Sequence, residues 1–255
     1  MTKDSMLIAG NWKMNGLSAA LAELQAIAAG LPAACAQADI AALVCLPASL
    51  LSRGAEAVRN SRLALGGQDC HFADSGAHTG DIAAPMLKDA GASYVIVGHS
   101  ERRADHCETD ELIHRKAEAA WRAGLVAVLC VGETLEQREQ GAALEIVGRQ
   151  CEAAIPAGAA ADRLVIAYEP VWAIGTGKVP TRDNVAEMHN FIRQKLHRRF
   201  GEMGEKIRLL YGGSVKPDNA AALLSVPHVH GALIGGASLN HKDFLAIIAA
   251  AATLP

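Results

Sequence analysis

Leu164-Val165-Ile166-Ala167-Tyr168-Glu169-Pro170 is the stretch on which the fold turns. Its first five residues are apolar without alternation or helical period, and they stop abruptly at a carboxylate and a proline. A run of that kind suits a strand buried on both faces, as in a parallel sheet. Seven more runs have the same form: Met6–Ala9, Ala41–Leu46, Arg62–Leu65, Tyr94–Val97, Leu125–Val131, Ile207–Tyr211 and Ala232–Ile234. Helical spacing fills the intervals, with apolar residues at Leu21, Leu24 and Ala28, at Leu144, Val147, Cys151 and Ile155, and at Val185, Met188, Ile192 and Leu196. Thr134 followed by Gln137 reads as a capping box that opens the helix after the fifth run.

Strand and helix therefore alternate from one end to the other, and no linker or charge run interrupts them. Eight units in 255 residues are about 32 residues each, the size of a βα repeat. The expectation is an α/β fold, a (β/α)8 barrel, as a single domain over residues 1–255. An open doubly wound sheet alternates in the same way, but the count of eight favours the barrel.

Composition narrows the function. Lys and Arg number 24 against 27 Asp and Glu, a net charge of −3, which gives no electrostatic case for nucleic acid or an anionic membrane as main partner. The longest apolar tract, Phe244 to Leu254, is too short to span a bilayer and reads as a packed helix. Six cysteines, at 35, 45, 70, 107, 130 and 151, include no C-x-x-C pair. They suggest free thiols in a reducing compartment, and the first residues lack the signal-peptide pattern, so a cytoplasmic location is expected.

In a barrel, chemistry gathers in the loops after the strands. Here Asn11 and Lys13 follow the first run, His99, Ser100 and Glu101 the fourth, Glu169 the sixth, Gly212-Gly213-Ser214 the seventh and Gly235-Gly236 the eighth. A tight turn accounts for any one of these groups, but not for all five falling on one rim. The glycines let backbone N–H groups approach an oxyanion, as a phosphate site requires. Gly175-Thr176-Gly177-Lys178 is not a P-loop, because Trp172 and Val179 occupy its required Gly and Ser/Thr positions. Nor is it a dinucleotide fingerprint, because Pro180 replaces the third Gly. His228-x-His230, Cys70-His71 and His106-Cys107 are isolated pairs, so neither a metal nor a cofactor is expected. A carboxylate, an imidazole, a lysine and a phosphate cradle suit proton abstraction beside the carbonyl of a small sugar phosphate.

Five segments carry a family resemblance: Ala9-Gly10-Asn11-Trp12-Lys13-Met14-Asn15, Val97-Gly98-His99-Ser100-Glu101-Arg102-Arg103, Ala167 to Gly177, Tyr211-Gly212-Gly213-Ser214-Val215 and Gly235-Gly236-Ala237-Ser238-Leu239. In order and spacing they resemble the triosephosphate isomerase family, whose fold is the TIM barrel. The resemblance implies Glu169 as the base, neutral His99 as electrophile, Lys13 as the positive charge and Asn11 as its orienting neighbour and a substrate contact. It also implies Glu101 and Ser100 as supporting residues, and Gly175, Ser214, Gly235 and Gly236 as N–H donors to phosphate. A lid over about 170–180 and a homodimer through the 68–85 loop follow from it as well. The alternatives are an aldolase-type barrel, for which Lys13 is the strand-end lysine available, and a non-catalytic sugar-phosphate binder.

The chain departs from the family pattern at three places. Pro180 lacks the N–H that the hydroxyl matching Tyr211 latches in the family, so that latch is expected to be absent or replaced, with Ser214 to the lid backbone as the replacement. His106-Cys107 stands where Phe-Gly is usual, which bears on local packing. Asp81 replaces a more usual Glu in the 68–85 loop, which bears on one interface contact. Cys130 reads as packed, not reactive.

Overall fold

The computed structural model describes residues 6–173 and 180–254. Eight parallel strands pair in sequence order and close into a barrel: β1 Leu7–Asn11, β2 Ala41–Cys45, β3 Ala64–Gly67, β4 Tyr94–Val97, β5 Val126–Val131, β6 Leu164–Tyr168, β7 Arg208–Tyr211 and β8 Gly231–Ile234. β8 returns to β1 with Ala232 beside Ile8 and Leu233 beside Ala9, which completes the ring. The helices are α1 Leu21–Ala34, α2 Ala48–Ala57, α3 Ala84–Asp89, α4 Ser100–Asp105, α5 Asp110–Arg122, α6 Leu135–Glu139, α7 Ala143–Ala154, α8 Arg182–Phe200, α9 Glu202–Glu205, α10 Ala220–Leu224 and α11 His241–Ala252.

The continuous apolar runs arise because the strands are buried on both sides. Leu7, Ala9, Leu43, Cys45, Ile96, Val128, Cys130, Val165, Ala167, Leu210 and Leu233 point inward and pack together inside the barrel. Their alternates, among them Ile8, Val44, Val95, Leu129, Ile166 and Leu209, face the helices in a second, larger core. The helical periods place Leu24, Val147, Cys151, Val185, Met188, Ile192 and Leu196 in that outer core. The capping box forms as expected, with Thr134 Oγ1 accepting from the Gln137 N–H and the Gln137 side chain from the Thr134 N–H.

The third strand is two residues later than the sequence suggests, and the reason is steric. Gly66 and Gly67 look like a stop but belong to the sheet, because a Cβ on Gly66 would lie 2.8 Å from Cys45 Sγ and one on Gly67 2.6 Å from a Leu87 methyl. Strand and helix pack too closely there for any side chain. The six cysteines are all free. Among the described residues no helix is long and apolar enough to cross a membrane.

Two local features carry stability consequences. Cys107 is exposed and held at φ +53°, in the left-handed region that glycine adopts without cost. A side chain at this position therefore strains the turn between α4 and α5. Cys107→Gly is expected to raise stability by about 1 kcal/mol, read as a shift in the urea midpoint, and an unchanged or lower midpoint would contradict that reading.

The second feature is His189 on α8, which is fully buried. Its Nδ1 lies 3.0 Å from the His228 carbonyl, its Nε2 has no partner among the described residues, and its ring stands edge-on to Tyr168. Burial pushes its pKa down to about 4, outweighing the His228 carbonyl, which acts in the opposite direction. An unfolded histidine titrates near 6.5. Stability from this group is thus fully present above about pH 6.5 and is lost as the pH falls toward 4. His189→Gln is expected to shrink the stability difference between pH 7 and pH 4.5 by about 2–3 kcal/mol, measured by urea unfolding at both pH values. An undiminished difference would show that the ring is not the group responsible.

Candidate active site

The site is built at the C-terminal ends of the strands. Beyond β4 the chain turns at Gly98, whose φ of +68° and contact with Ile113 leave no room for a side chain. That turn makes His99 the N-cap of α4, with its Nδ1 accepting the Glu101 N–H at 3.2 Å. A ring nitrogen that accepts a hydrogen bond carries no proton, so the proton of the neutral ring is on Nε2. Nε2 in turn lies 2.9 Å from Oε1 of Glu169. The other carboxylate oxygen, Oε2, accepts the Ser100 N–H at 3.0 Å.

Both side chains are removed from water, at 7 % exposure for His99 and 2 % for Glu169. Burial opposes the charged form of each. For Glu169 it is outweighed by His99, the Ser100 N–H and the Cys130 thiol, so the carboxyl is held below its usual range. For His99 the Glu169 and Glu101 carboxylates outweigh burial and raise the pKa above the ordinary imidazole value. Cys130 is packed inside the barrel, and burial raises its pKa well above the usual thiol value. It is a donor to the carboxylate, not a nucleophile.

Lys13 follows β1 with φ +52°, and Asn11 Oδ1 accepts its backbone N–H at 3.0 Å, which holds the strained turn in place. Lys13 Nζ forms an ion pair with Glu101 at 2.5 Å. An ammonium in that pairing is the wrong state to attack a carbonyl, which weighs against the aldolase-type alternative. Asn11, Lys13, His99, Glu169, Ser214, Gly235 and Gly236 line one cavity of about 480 Å³. Ser100 and Glu101 are not part of its lining and touch it through Glu169 and Lys13, respectively. Gly175 and residues 174–179 of the expected lid lie outside the described residues.

One contributor escaped the sequence reading. Glu133, immediately beyond β5 and fully buried, accepts at a single oxygen from Tyr168 Oη at 3.0 Å, Trp172 Nε1 at 2.9 Å and Arg138 at 3.1 Å. Its carbonyl also accepts the Val171 N–H. It therefore pins the 3-10 turn Val171–Ala173 that leads out of the Glu169 segment. The available signal was its position, a carboxylate just past an apolar run like the other rim groups.

Among the described residues, the one His/Cys/Asp/Glu group close enough to hold a metal is His71, His78 and Asp81, away from this cavity. There His71 Nδ1 accepts the Ala73 N–H at 3.0 Å, so Nε2 carries the proton and faces Asp81 at 3.6 Å.

A closed barrel with a buried carboxylate, an imidazole of fixed tautomer and a glycine-lined cradle on one rim defines an enzyme of the aldose–ketose isomerase class. The triosephosphate isomerase family model matches residues 6–251. The chain belongs to that family. A triosephosphate isomerase of Bradyrhizobium sp. is 61 % identical over 242 residues, covering 94 % of this chain and 96 % of the relative. One of Bartonella bacilliformis is 58 % identical over 244 residues, 94 % of each. The crystal structure of triosephosphate isomerase from Bartonella henselae superposes with a TM-score of 0.89 at 56 % identity, covering 95 % of this chain and 97 % of that one.

Within the family pattern the Pro180 departure has a structural counterpart. Tyr211 is fully buried against Gly213, and its hydroxyl has no partner among the described residues. Burial pushes its pKa up. Pro180 offers it no N–H, so a latch at that position is expected to be absent. Tyr211→Phe is expected to keep kcat within about tenfold of wild type, the range of a single hydrogen bond. A thousandfold loss in a steady-state assay would restore the latch.

Proposed function

We propose that the chain, as one barrel domain over residues 1–255, interconverts dihydroxyacetone phosphate and D-glyceraldehyde 3-phosphate through an enediolate. The observation that carries the reading is the contact of His99 Nε2–H with the Glu169 carboxylate, which places a hydrogen-bond donor and a proton acceptor side by side in a buried cavity. Substrate entering the cavity displaces this contact. Its carbonyl oxygen takes the His99 Nε2–H, and Glu169 takes the proton from the neighbouring carbon. The electron pair of that C–H bond becomes the C=C of the enediolate, while the negative charge builds on oxygen beside His99 and Lys13. The hydroxyl proton passes from its oxygen to the former carbonyl oxygen, and Glu169 returns its proton to the former carbonyl carbon, which leaves the new carbonyl on the neighbouring carbon. Ser214, Gly235 and Gly236, with Gly175 from the lid, offer N–H groups to the phosphate, and Asn11 orients Lys13. Closure of the 170–180 segment would exclude water while the enediolate exists.

A positioned general base contributes typically 10²–10⁴-fold. Glu169→Gln is expected to lower kcat by about a thousandfold in a coupled isomerase assay with the fold intact by circular dichroism. Comparable rates for the two proteins would sink the mechanism, and a wild type with no turnover would favour the non-catalytic binder.

We also propose a two-fold homodimer in which the 68–85 loop docks into its partner. Met14 and Leu17, directly after the catalytic Lys13, are 97 % and 83 % exposed, and Met86 beyond the loop is 54 % exposed. Large apolar side chains this exposed favour a protein contact. The six free thiols fit a cytoplasmic setting, in glycolysis and gluconeogenesis. Met14→Glu combined with Leu17→Glu is expected to convert a dimer at micromolar concentration into a poorly active monomer, followed by sedimentation. A wild-type chain that is active as a monomer would overturn the assembly.

A further inference from the structure

We propose that Lys216 supplies the unpaired positive charge that draws the dianionic substrate into the cradle, and that Asp243 opposes it. The inference rests on the isomerase reading and adds a residue to it. A phosphate monoester carries between one and two negative charges at neutral pH. It must approach a chain of net charge −3 and enter a cavity that already holds the Glu169 carboxylate. Lys13, the lysine assigned to the reaction, is neutralised by Glu101 before substrate arrives. The remaining described charges on the cavity wall are Lys216 and Asp243. Counting Glu101, the rim thus sets three carboxylates against two ammoniums.

Lys216 meets the requirements of a steering charge. It is exposed, and it pairs with no carboxylate among the described residues. It stands two residues past Ser214, on a loop held by one side chain. Asn219 Oδ1 accepts the Lys216 N–H at 2.8 Å, and Asn219 Nδ2 donates to the Ser214 carbonyl at 3.2 Å. The Lys216 carbonyl accepts the Ala220 N–H, and Pro217 restricts the residue before it to extended backbone. The charge is therefore presented from a rigid turn shared with a phosphate-binding residue. Asp243 lies in the first turn of α11, whose dipole favours an acid there, so this carboxylate is held on the same cavity wall for a reason of helix stability.

An exposed charge acts on a charged ligand through a field that salt screens, and its effect appears in capture and not in chemistry. The test is steady-state kinetics with triose phosphate at about 0.01 M and about 0.5 M ionic strength, on wild type, Lys216→Gln, Lys216→Arg and Asp243→Asn. Lys216→Gln is expected to lower kcat/KM by about three- to tenfold at low salt with kcat retained, and the gap is expected to close at high salt. Lys216→Arg is expected to match wild type, and Asp243→Asn to raise kcat/KM at low salt. Equal kcat/KM for Lys216→Gln and wild type at low salt would overturn the proposal, as would a deficit that does not respond to salt or that falls on kcat. A wild-type protein that does not turn over triose phosphate would overturn the isomerase reading instead.

Discussion

The hydrogen bond from the Glu101 backbone N–H to His99 Nδ1 is the constraint on which the site depends. It is a helix-capping bond, made because the orphan N–H groups at the start of α4 need an acceptor. Its chemical effect is larger than its structural one. With Nδ1 committed as acceptor, the ring proton must be on Nε2, and Nε2 faces the Glu169 carboxylate. The reversed tautomer would set a lone pair against a buried carboxylate and place an N–H against an N–H at the cap. One backbone amide thus fixes which nitrogen can polarise a carbonyl, and it keeps the carboxylate oriented in the absence of substrate.

The barrel delivers the other parts to that contact. Lys13 arrives from β1, His99 from β4, Glu133 from beyond β5 and Glu169 from β6, all at the same rim because parallel strands end on one side. Against burial, His99, the Ser100 amide and the Cys130 thiol together hold the Glu169 carboxyl below its usual range, and of these His99 contributes most. Lys13, already paired with Glu101, and Lys216 at the edge are the lysines of the rim.

Much of this was legible in the sequence, and the exceptions have physical reasons. Strands buried on both faces declare themselves as apolar runs, which is why Tyr94–Val97 and Leu164–Tyr168 were read to the residue. β3 was misplaced because close packing puts Gly66 and Gly67 inside a strand, where glycine normally marks its end. Asn11, Lys13, His99, Glu169, Ser214, Gly235 and Gly236 were singled out because strand ends carry barrel chemistry, and they line one cavity. Glu133 was missed because Tyr168 and Trp172 lie 35 and 39 residues away in sequence, and only folding brings them, with the nearby Arg138, onto one oxygen. The left-handed Lys13 and Cys107 carry no sequence signal at all, since side chains other than glycine seldom adopt that conformation.

The most direct test of the account is the tautomer of His99 in the ligand-free protein, read from the ¹⁵N chemical shifts and one-bond N–H couplings of the ring with His99→Asn as the assignment control. The account predicts an unprotonated Nδ1 that accepts from the Glu101 amide and a protonated Nε2. A proton on Nδ1 with a bare Nε2 would contradict it, because the electrophile and the placement of Glu169 would both lose their basis.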